Sequence, residues 1–185
     1  MRVLGLSGSL REGSHNGALL GAAAAALPAG VELEVWDGLR KVPPFDADAE
    51  GGPAPVAVAE LRRAIAAADA VLVATPEYNG SLPGQLKNAL DWASRPYETN
   101  PLRDKPAAVI GASTGLFGAV WAQADGRRVL TAIGAQVLDA DLPVGTAHEA
   151  FGAGGELADA GLREALRALL DDLVATAFAV CALAA

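Results

Sequence analysis

Two hydrophobic periods alternate along this chain, one of about two residues and one of about 3.6. Arg2 to Leu6 is a short apolar run that predicts a strand, and Gly17 to Leu27 is an Ala- and Leu-rich stretch that predicts a helix. Val31 to Trp36 sets Val31, Leu33 and Val35 against Glu32 and Glu34, the alternation of a strand near a sheet edge. In Val56 to Ala68, Val58, Leu61 and Ile65 fall at helical spacing, with Arg62 and Arg63 outside them. Ala70 to Ala74 is almost continuously apolar, as a strand covered on both faces requires. Leu82 to Ser94 places Leu82, Leu86, Ala89, Leu90 and Ala93 on one helical face. Lys105-Pro106 then introduces a second buried strand, Ala107 to Ala112, followed by a helix over Gly118 to Ile133 and a short strand over Gln136 to Leu138. Gly161 to Leu183 predicts a last helix, with Leu162, Leu166, Leu169, Leu170 and Leu173 as its core stripe. Asp37 to Pro55 and Ala147 to Gly155, rich in Gly with Pro and Asp or Ala, are expected as loops. Five strands alternating with five helices predict an α/β domain over residues 1–185 built on a parallel sheet. The turn after the first strand is dense in ligand-type side chains and belongs at the topological switch point. That favours the strand order 2-1-3-4-5.

Composition narrows the partners. A net charge of −8 argues against nucleic acid or an anionic membrane surface. It also makes Arg11 a local positive site on an acidic chain. With one cysteine, Cys181, no internal disulfide forms, and a reducing compartment, the cytoplasm, is expected. The chain enters its first strand at once, so no signal peptide is expected. The apolar tail from Leu173 to Ala185 is too short and too Ala-rich for a membrane span. Two histidines, His15 and His148, and a single cysteine do not suggest a metal site, and none is expected.

Candidate chemistry gathers in three strand-to-helix turns, all at the sheet edge where such folds bind ligands. The first, Gly5 to Asn16, holds Ser7, Ser9, Ser14, Arg11 and Asn16 within ten residues. Hydroxyls and backbone N–H groups donate, Arg11 adds charge and a planar fork, and the following helix adds the positive end of its dipole. This is a phosphate-binding turn. It lacks the Gly-Lys-Ser/Thr of a triphosphate loop, and Gly5, Gly8 and Gly13 do not fit G-x-G-x-x-G, so one terminal phosphate suits it best. The second turn, Thr75 to Gly84, combines Pro76, Glu77, Tyr78, Asn79 and Gly80. Its aromatic ring can shield a flat heterocycle and its N–H groups can meet ring heteroatoms. The third, Ala112 to Gly118, is Gly-rich with the hydroxyls of Ser113 and Thr114. One turn for a phosphate and two for a planar ring suit a phosphorylated ring compound of mononucleotide size. Each turn by itself also reads as an ordinary cap or stiff bend; their coincidence at the tips of strands one, three and four favours a site.

Gly8 to Asn16 resembles the G-S-L-R-x-x-S-x-N phosphate loop of the NADPH-dependent FMN reductase family. Thr75 to Trp92 is similar to that family's second signature, and Pro43 to Asp48 looks like its second-strand loop. The similarity is nearest to the quinone and chromate reductase branch and runs from the first strand to about the fourth helix. The segment from about Asp139 resembles nothing we recognise. The resemblance implies a flavodoxin-like three-layer sandwich, five-stranded, binding FMN non-covalently. It implies Ser9, Arg11, Ser14 and Asn16 at the phosphate; His15 stands in the same turn, and its ring is expected to point outward. Pro76, Glu77, Tyr78, Asn79 and Gly80 would border the isoalloxazine, and Ser113, Thr114 and Gly115 the pyrimidine end or ribityl chain. Where the family often pairs glycines, this chain has Gly118-Ala119, which is expected to narrow the site. The resemblance also implies a homodimer or homotetramer through the helix around Leu86 to Tyr97; Trp92 is the candidate anchor there, with core packing as its other reading.

The implied activity is hydride transfer from NADPH (or NADH) through FMN to a small acceptor such as a quinone, a flavin or chromate, with ping-pong kinetics. No side chain is assigned as catalytic acid or base, because the flavin N5 carries the chemistry. His148 is expected at the surface. Two rival readings share the fold: a non-enzymatic electron carrier of the flavodoxin kind, and a binding module without flavin. Arg11 and the Pro-Glu-Tyr-Asn-Gly signature, which flavodoxins typically lack, favour the reductase.

Overall fold

The computed structural model describes residues 1–184; Ala185, at the end of the apolar tail, lies outside them. Strand β1 (Arg2–Ser7) leads into helix α1 (His15–Ala26), and β2 (Glu32–Trp36) into α2 (Val56–Ala67). Then come β3 (Ala70–Thr75) with α3 (Gly84–Ala93), β4 (Pro106–Ala112) with α4 (Val120–Ile133), and β5 (Gln136–Val137), β6 (Pro143–Val144) and α5 (Ala160–Ala184). The sheet is parallel in the order β2-β1-β3-β4-β5, as expected, with β6 also paired to β4.

The short strand expected at Gln136 to Leu138 forms, as β5, but it is not the last strand of the sheet. The place beside β4 is shared by two pieces: β5 pairs with Pro106 and Ala107, β6 with Gly111 and Ala112. Two residues leave β6 no period to read, and Pro143 at its start reads as a breaker although a proline is tolerated at a strand's first residue.

Side chains alternate across the central strands and divide the core into two layers. Leu4 and Leu6 of β1, Val71 and Val73 of β3, and Ala107 and Val109 of β4 face α2, α3 and α4 through Leu61, Ile65, Leu86, Leu90 and Leu130. Val3, Ala70, Leu72, Ala108 and Ile110 face α1 and α5 through Leu19, Leu20, Leu166, Leu169, Leu170 and Leu173. Every residue of β3 and β4 is buried, which is why their sequences read as unbroken apolar runs. Leu162 packs on the second layer only at its margin.

Trp92 is the second correction. It is 4% exposed, its indole Nε1 donates to the Pro43 carbonyl at 2.9 Å, and its ring meets Phe45 edge-on with centroids 5.0 Å apart. Asn88 also holds this loop, accepting from the Phe45 N–H and donating to the Pro43 carbonyl. Trp92 therefore anchors the loop after β2 within its own chain, and it is not available to anchor an interface. The solvent side of α3 carries the Lys87–Asp91 ion pair instead. Among the described residues no helix is long and apolar enough to cross a membrane.

Candidate active site at the carboxyl edge of the sheet

The ends of β1, β3 and β4 bring the three polar turns around one cleft of about 230 Å³. Its wall holds Ser9, Arg11, Ser14, His15 and Asn16 from the first turn, Pro76, Glu77 and Tyr78 from the second, and Ala112, Ser113 and Thr114 from the third. Asn79, Gly80 and Gly115, also expected at the site, lie in the same turns but outside this wall. Larger grooves exist, among them one of about 420 Å³ between α1 and α5, but that one is floored by Ala18, Ala22 and Ala25 and lacks the hydroxyls.

The first turn is held close to the second. Gly8 donates its N–H to the Ala74 carbonyl at 2.8 Å. A Cβ at Gly8 would stand 2.9 Å from Leu86 Cδ2 and 3.2 Å from Pro76 Cδ, so a side chain here would press on α3 and on the start of the second turn. Ser14 caps α1, its Oγ accepting from the N–H groups of Asn16 at 3.2 Å and Gly17 at 3.3 Å. Ser9 Oγ accepts from the Arg11 N–H at 3.4 Å. Both hydroxyls act only as acceptors here, which leaves their protons to donate to an anion. Arg11 is exposed, and its guanidinium has no hydrogen-bond or ion-pair partner among the described residues. Two free hydroxyl protons, an uncommitted guanidinium and the start of α1 fit a terminal phosphate.

Asn16 has a different task from the one the sequence suggests. It is 2% exposed. Its amide Nδ2 donates to the Ala112 carbonyl and its Oδ1 accepts the Ala112 N–H, both at 2.9 Å. It reads the end of β4 as another strand would, and so clamps the first turn to the third. Its Oδ1 and one of its amide protons are committed to the backbone.

His15 is half-buried, with its ring parallel to Phe151 (centroids 6.4 Å apart, 3° between planes), so it is turned toward the C-terminal segment rather than outward. Burial, and then the neighbouring charges of Arg11 and His148, push its pKa below the ordinary histidine value. At neutral pH the imidazole is uncharged, and the positive charge at this end of the cleft rests on Arg11. His148 is exposed, as expected.

The second turn is a two-residue hairpin. Tyr78 and Ser81 exchange both backbone hydrogen bonds, at 3.1 and 3.2 Å, and Asn79 and Gly80 between them have φ of 54° and 75°. Asn-Gly is the pair that favours this turn, because both positions need positive φ. Two side chains moor it to α4. Glu77 Oε2 accepts from the N–H groups of Trp121 at 3.0 Å and Ala122 at 3.1 Å, capping that helix with a negative charge at its positive end. Ser81 Oγ donates to Asp125 Oδ2, and this bond is the main reason the Asp125 carboxyl lies below its ordinary pKa, with Arg128 assisting.

A pH dependence follows. The unfolded chain holds its Asp125 proton to about pH 4, whereas the folded carboxyl releases it at lower pH. The stabilisation is therefore complete above the unfolded pKa and is lost as pH falls through the folded one. Asp125→Asn is expected to cost about 1–2 kcal/mol at pH 7, with the difference from wild type shrinking below about pH 4. Urea melts across that range check it; a difference that does not change with pH would contradict it.

The third turn rests on β6. Ser113 donates its N–H to the Val144 carbonyl at 3.0 Å, Ala147 donates to the Ser113 carbonyl at 3.0 Å, and Thr146 to the Gly115 carbonyl at 3.1 Å. Gln123, fully buried, accepts from the Leu142 N–H and donates to the Gly118 carbonyl, both at 2.9 Å. Ala119 does not narrow the cleft, contrary to expectation. It is 2% exposed in a left-handed conformation, φ 62°, and its methyl faces the position of Gly111 inside the fold. Gln123, Thr146, Ala147 and Phe151 were not singled out by sequence; only β6, too short to detect, would have pointed to the last three.

Residues 1–149 match the family model described as NADPH-dependent FMN reductase. An NAD(P)H-dependent FMN reductase of Pseudomonas aeruginosa is 44% identical over 174 residues, which cover 94% of this chain and 93% of that protein. A quinone reductase of Escherichia coli is 39% identical over 142 residues, covering 75% and 74%. Among solved structures, a flavoenzyme NAD(P)H:(acceptor) oxidoreductase from Paracoccus denitrificans is similar with a TM-score of 0.83 at 35% identity, covering 95% of this chain and 96% of that one.

Proposed function

The chain belongs to the NADPH-dependent FMN reductase family, and from that premise we propose that it passes hydride from NADPH or NADH, by way of FMN held in this cleft, to a small acceptor. It is an oxidoreductase of the FMN- and NAD(P)H-dependent kind. Quinones, free flavin and chromate are the acceptor classes the reading admits, and the E. coli relative's name supports the first. The observation that carries the proposal is the convergence of an unpaired Arg11 and the free hydroxyl protons of Ser9 and Ser14 on the cleft bordered by Tyr78 and Ser113.

In this reading Ser9, Ser14 and Arg11 hold the phosphate, and the Asn16 clamp fixes the distance between that grip and the third turn. The N–H groups of Glu77, Asn79 and Gly80 donate toward ring heteroatoms and stabilise negative charge there. Tyr78 covers part of the ring, and Ser113, Thr114 and Gly115 border its pyrimidine end or the ribityl chain. FMN held by these residues would supply the redox centre for hydride transfer. No side chain is needed as acid or base. Donor and acceptor occupy the open side of the cleft in turn, which gives ping-pong kinetics. One domain over residues 1–185 carries the activity, in the cytoplasm where NAD(P)H is supplied. It self-associates as a dimer or tetramer through α3 and the turn to Tyr97, whose accessible groups are Lys87, Asp91 and Tyr97.

Anaerobic titration of the FMN-loaded protein with NADPH and then NADH tests this. The visible flavin absorbance is expected to bleach stoichiometrically and to return on adding a quinone, and initial rates should give parallel double-reciprocal lines. A flavin that neither nucleotide bleaches would remove the reductase assignment.

A further inference from the structure

Eight large apolar side chains are exposed among the described residues, and four of them, Tyr78, Leu116, Phe117 and Trp121, belong to the second and third turns and the first turn of α4. Leu116 is 80% exposed, Phe117 64% and Trp121 52%. Such a concentration beside a cleft is unusual for a surface with no ligand to meet. Phe117 and Trp121 are held as a unit. Their rings meet edge-on, with centroids 5.1 Å apart and planes at 68°. The backbone beneath them is fixed, because Val120 donates to the Phe117 carbonyl at 3.1 Å and Trp121 donates to the cleft residue Glu77. Beside this rim stand the Glu77 carboxylate at the start of α4 and, one turn on, Asp125, whose charge is offset by its ion pair with Arg128. Arg11, whose guanidinium has no partner among the described residues, stands at the phosphate end.

We propose that the Phe117–Trp121 pair is the platform that selects the electron acceptor, stacking flat uncharged aromatic rings such as naphthoquinones and disfavouring oxyanions such as chromate. The proposal rests on the reductase reading above and narrows it. Edge-on packing leaves aromatic face open to a flat guest, and the offset contact between such rings is favourable beyond the area it buries. A dianion gains nothing from these rings and meets the Glu77 carboxylate on a chain of net charge −8. The balance is that of a two-electron reduction. NADPH loses hydride and becomes NADP⁺, a proton comes from solvent, and the quinone gains two electrons and two protons to become the hydroquinone.

The test compares a ring-bearing with a ring-less acceptor on the FMN-loaded protein. 2-Methyl-1,4-naphthoquinone takes two electrons per NADPH, and ferricyanide takes one electron per molecule, two molecules per NADPH. Phe117→Ala/Trp121→Ala is expected to lower kcat/KM for the naphthoquinone about tenfold relative to that for ferricyanide, and Trp121→Phe alone to retain most of the efficiency. Both side chains are largely in solvent, so the double variant should keep its FMN content and melting temperature. Equal losses for both acceptors, or no loss for the quinone, would overturn the proposal. So would a shift of the double variant to a smaller assembly in sedimentation, which would assign the rim to contact between copies. Wild-type protein whose flavin NADPH does not reduce would remove the reductase reading, and this proposal with it. Reduction with an unaltered acceptor ratio would remove this proposal alone.

Discussion

Arg11→Ala should raise the dissociation constant for FMN about 10- to 150-fold, a loss of roughly 1.5–3 kcal/mol, the range of a charge-assisted hydrogen bond. The same substitution should leave the affinity for riboflavin, which lacks the phosphate, unchanged. The expectation follows from what Arg11 does not do. Its guanidinium is bound to nothing else among the described residues, so removing it breaks no internal contact and frees no buried partner. His15 is a poor substitute at neutral pH, because burial, the largest of the effects that lower its pKa, persists in the variant. Since Arg11 is exposed, the effect should shrink as salt is added. Fluorescence titrations of both proteins with both ligands measure it. Equal FMN affinity in wild type and variant would take Arg11 out of the site.

The second large effect is on stability. Asn16→Ala should destabilise the protein by about 2–5 kcal/mol, since it leaves the N–H and C=O of Ala112 without partners and buried polar groups cost about 1–3 kcal/mol each when unpaired. Ala112 is 1% exposed and Asn16 2%, so water has little access to make up the loss. Chemical melts of the ligand-free protein separate this clamp from a ligand role. A phosphate ligand would leave the ligand-free protein as stable as wild type and weaken only FMN binding. Asn16→Asp is a finer probe. It keeps an acceptor for the Ala112 N–H but sets a carboxylate against the Ala112 carbonyl, so it should recover only part of the loss.

These two residues also mark where sequence reading succeeds and where it stops. Arg11 and Asn16 stand in the same turn, and both have the chemistry of a phosphate ligand. What separates them is a contact 96 positions away, between Asn16 and Ala112, which no local pattern contains. Trp92 failed for the same reason: an aromatic residue on an amphipathic helix reads as an anchor, but its partners, Pro43 and Phe45, sit on a distant loop. β3 and β4 were legible because burial on both faces leaves an unbroken apolar run, and β1 because its turn is so polar. The hairpin of Asn79 and Gly80 was present as the Asn-Gly pair, although its chemistry was read as ring-binding only. Of the two short strands beside β4, β5 was read at Gln136 to Leu138, but β6 was not, because Pro143 and Val144 span no period and their register is set by β4. The rim of Phe117 and Trp121 was hidden by its own ambiguity, since aromatics at helical spacing most often enter the core.

The central claim is that the turn after β1 holds a lone phosphate while the turns after β3 and β4 hold the ring attached to it. A crystal structure of the protein grown with FMN tests it most directly. The phosphate is expected within hydrogen-bond distance of Ser9, Ser14 and Arg11, with the isoalloxazine between Tyr78 and Ser113 and the Asn16–Ala112 pair unbroken. FMN seated elsewhere, such as in the Ala-floored groove between α1 and α5, or bound with its phosphate away from Arg11, would contradict the account.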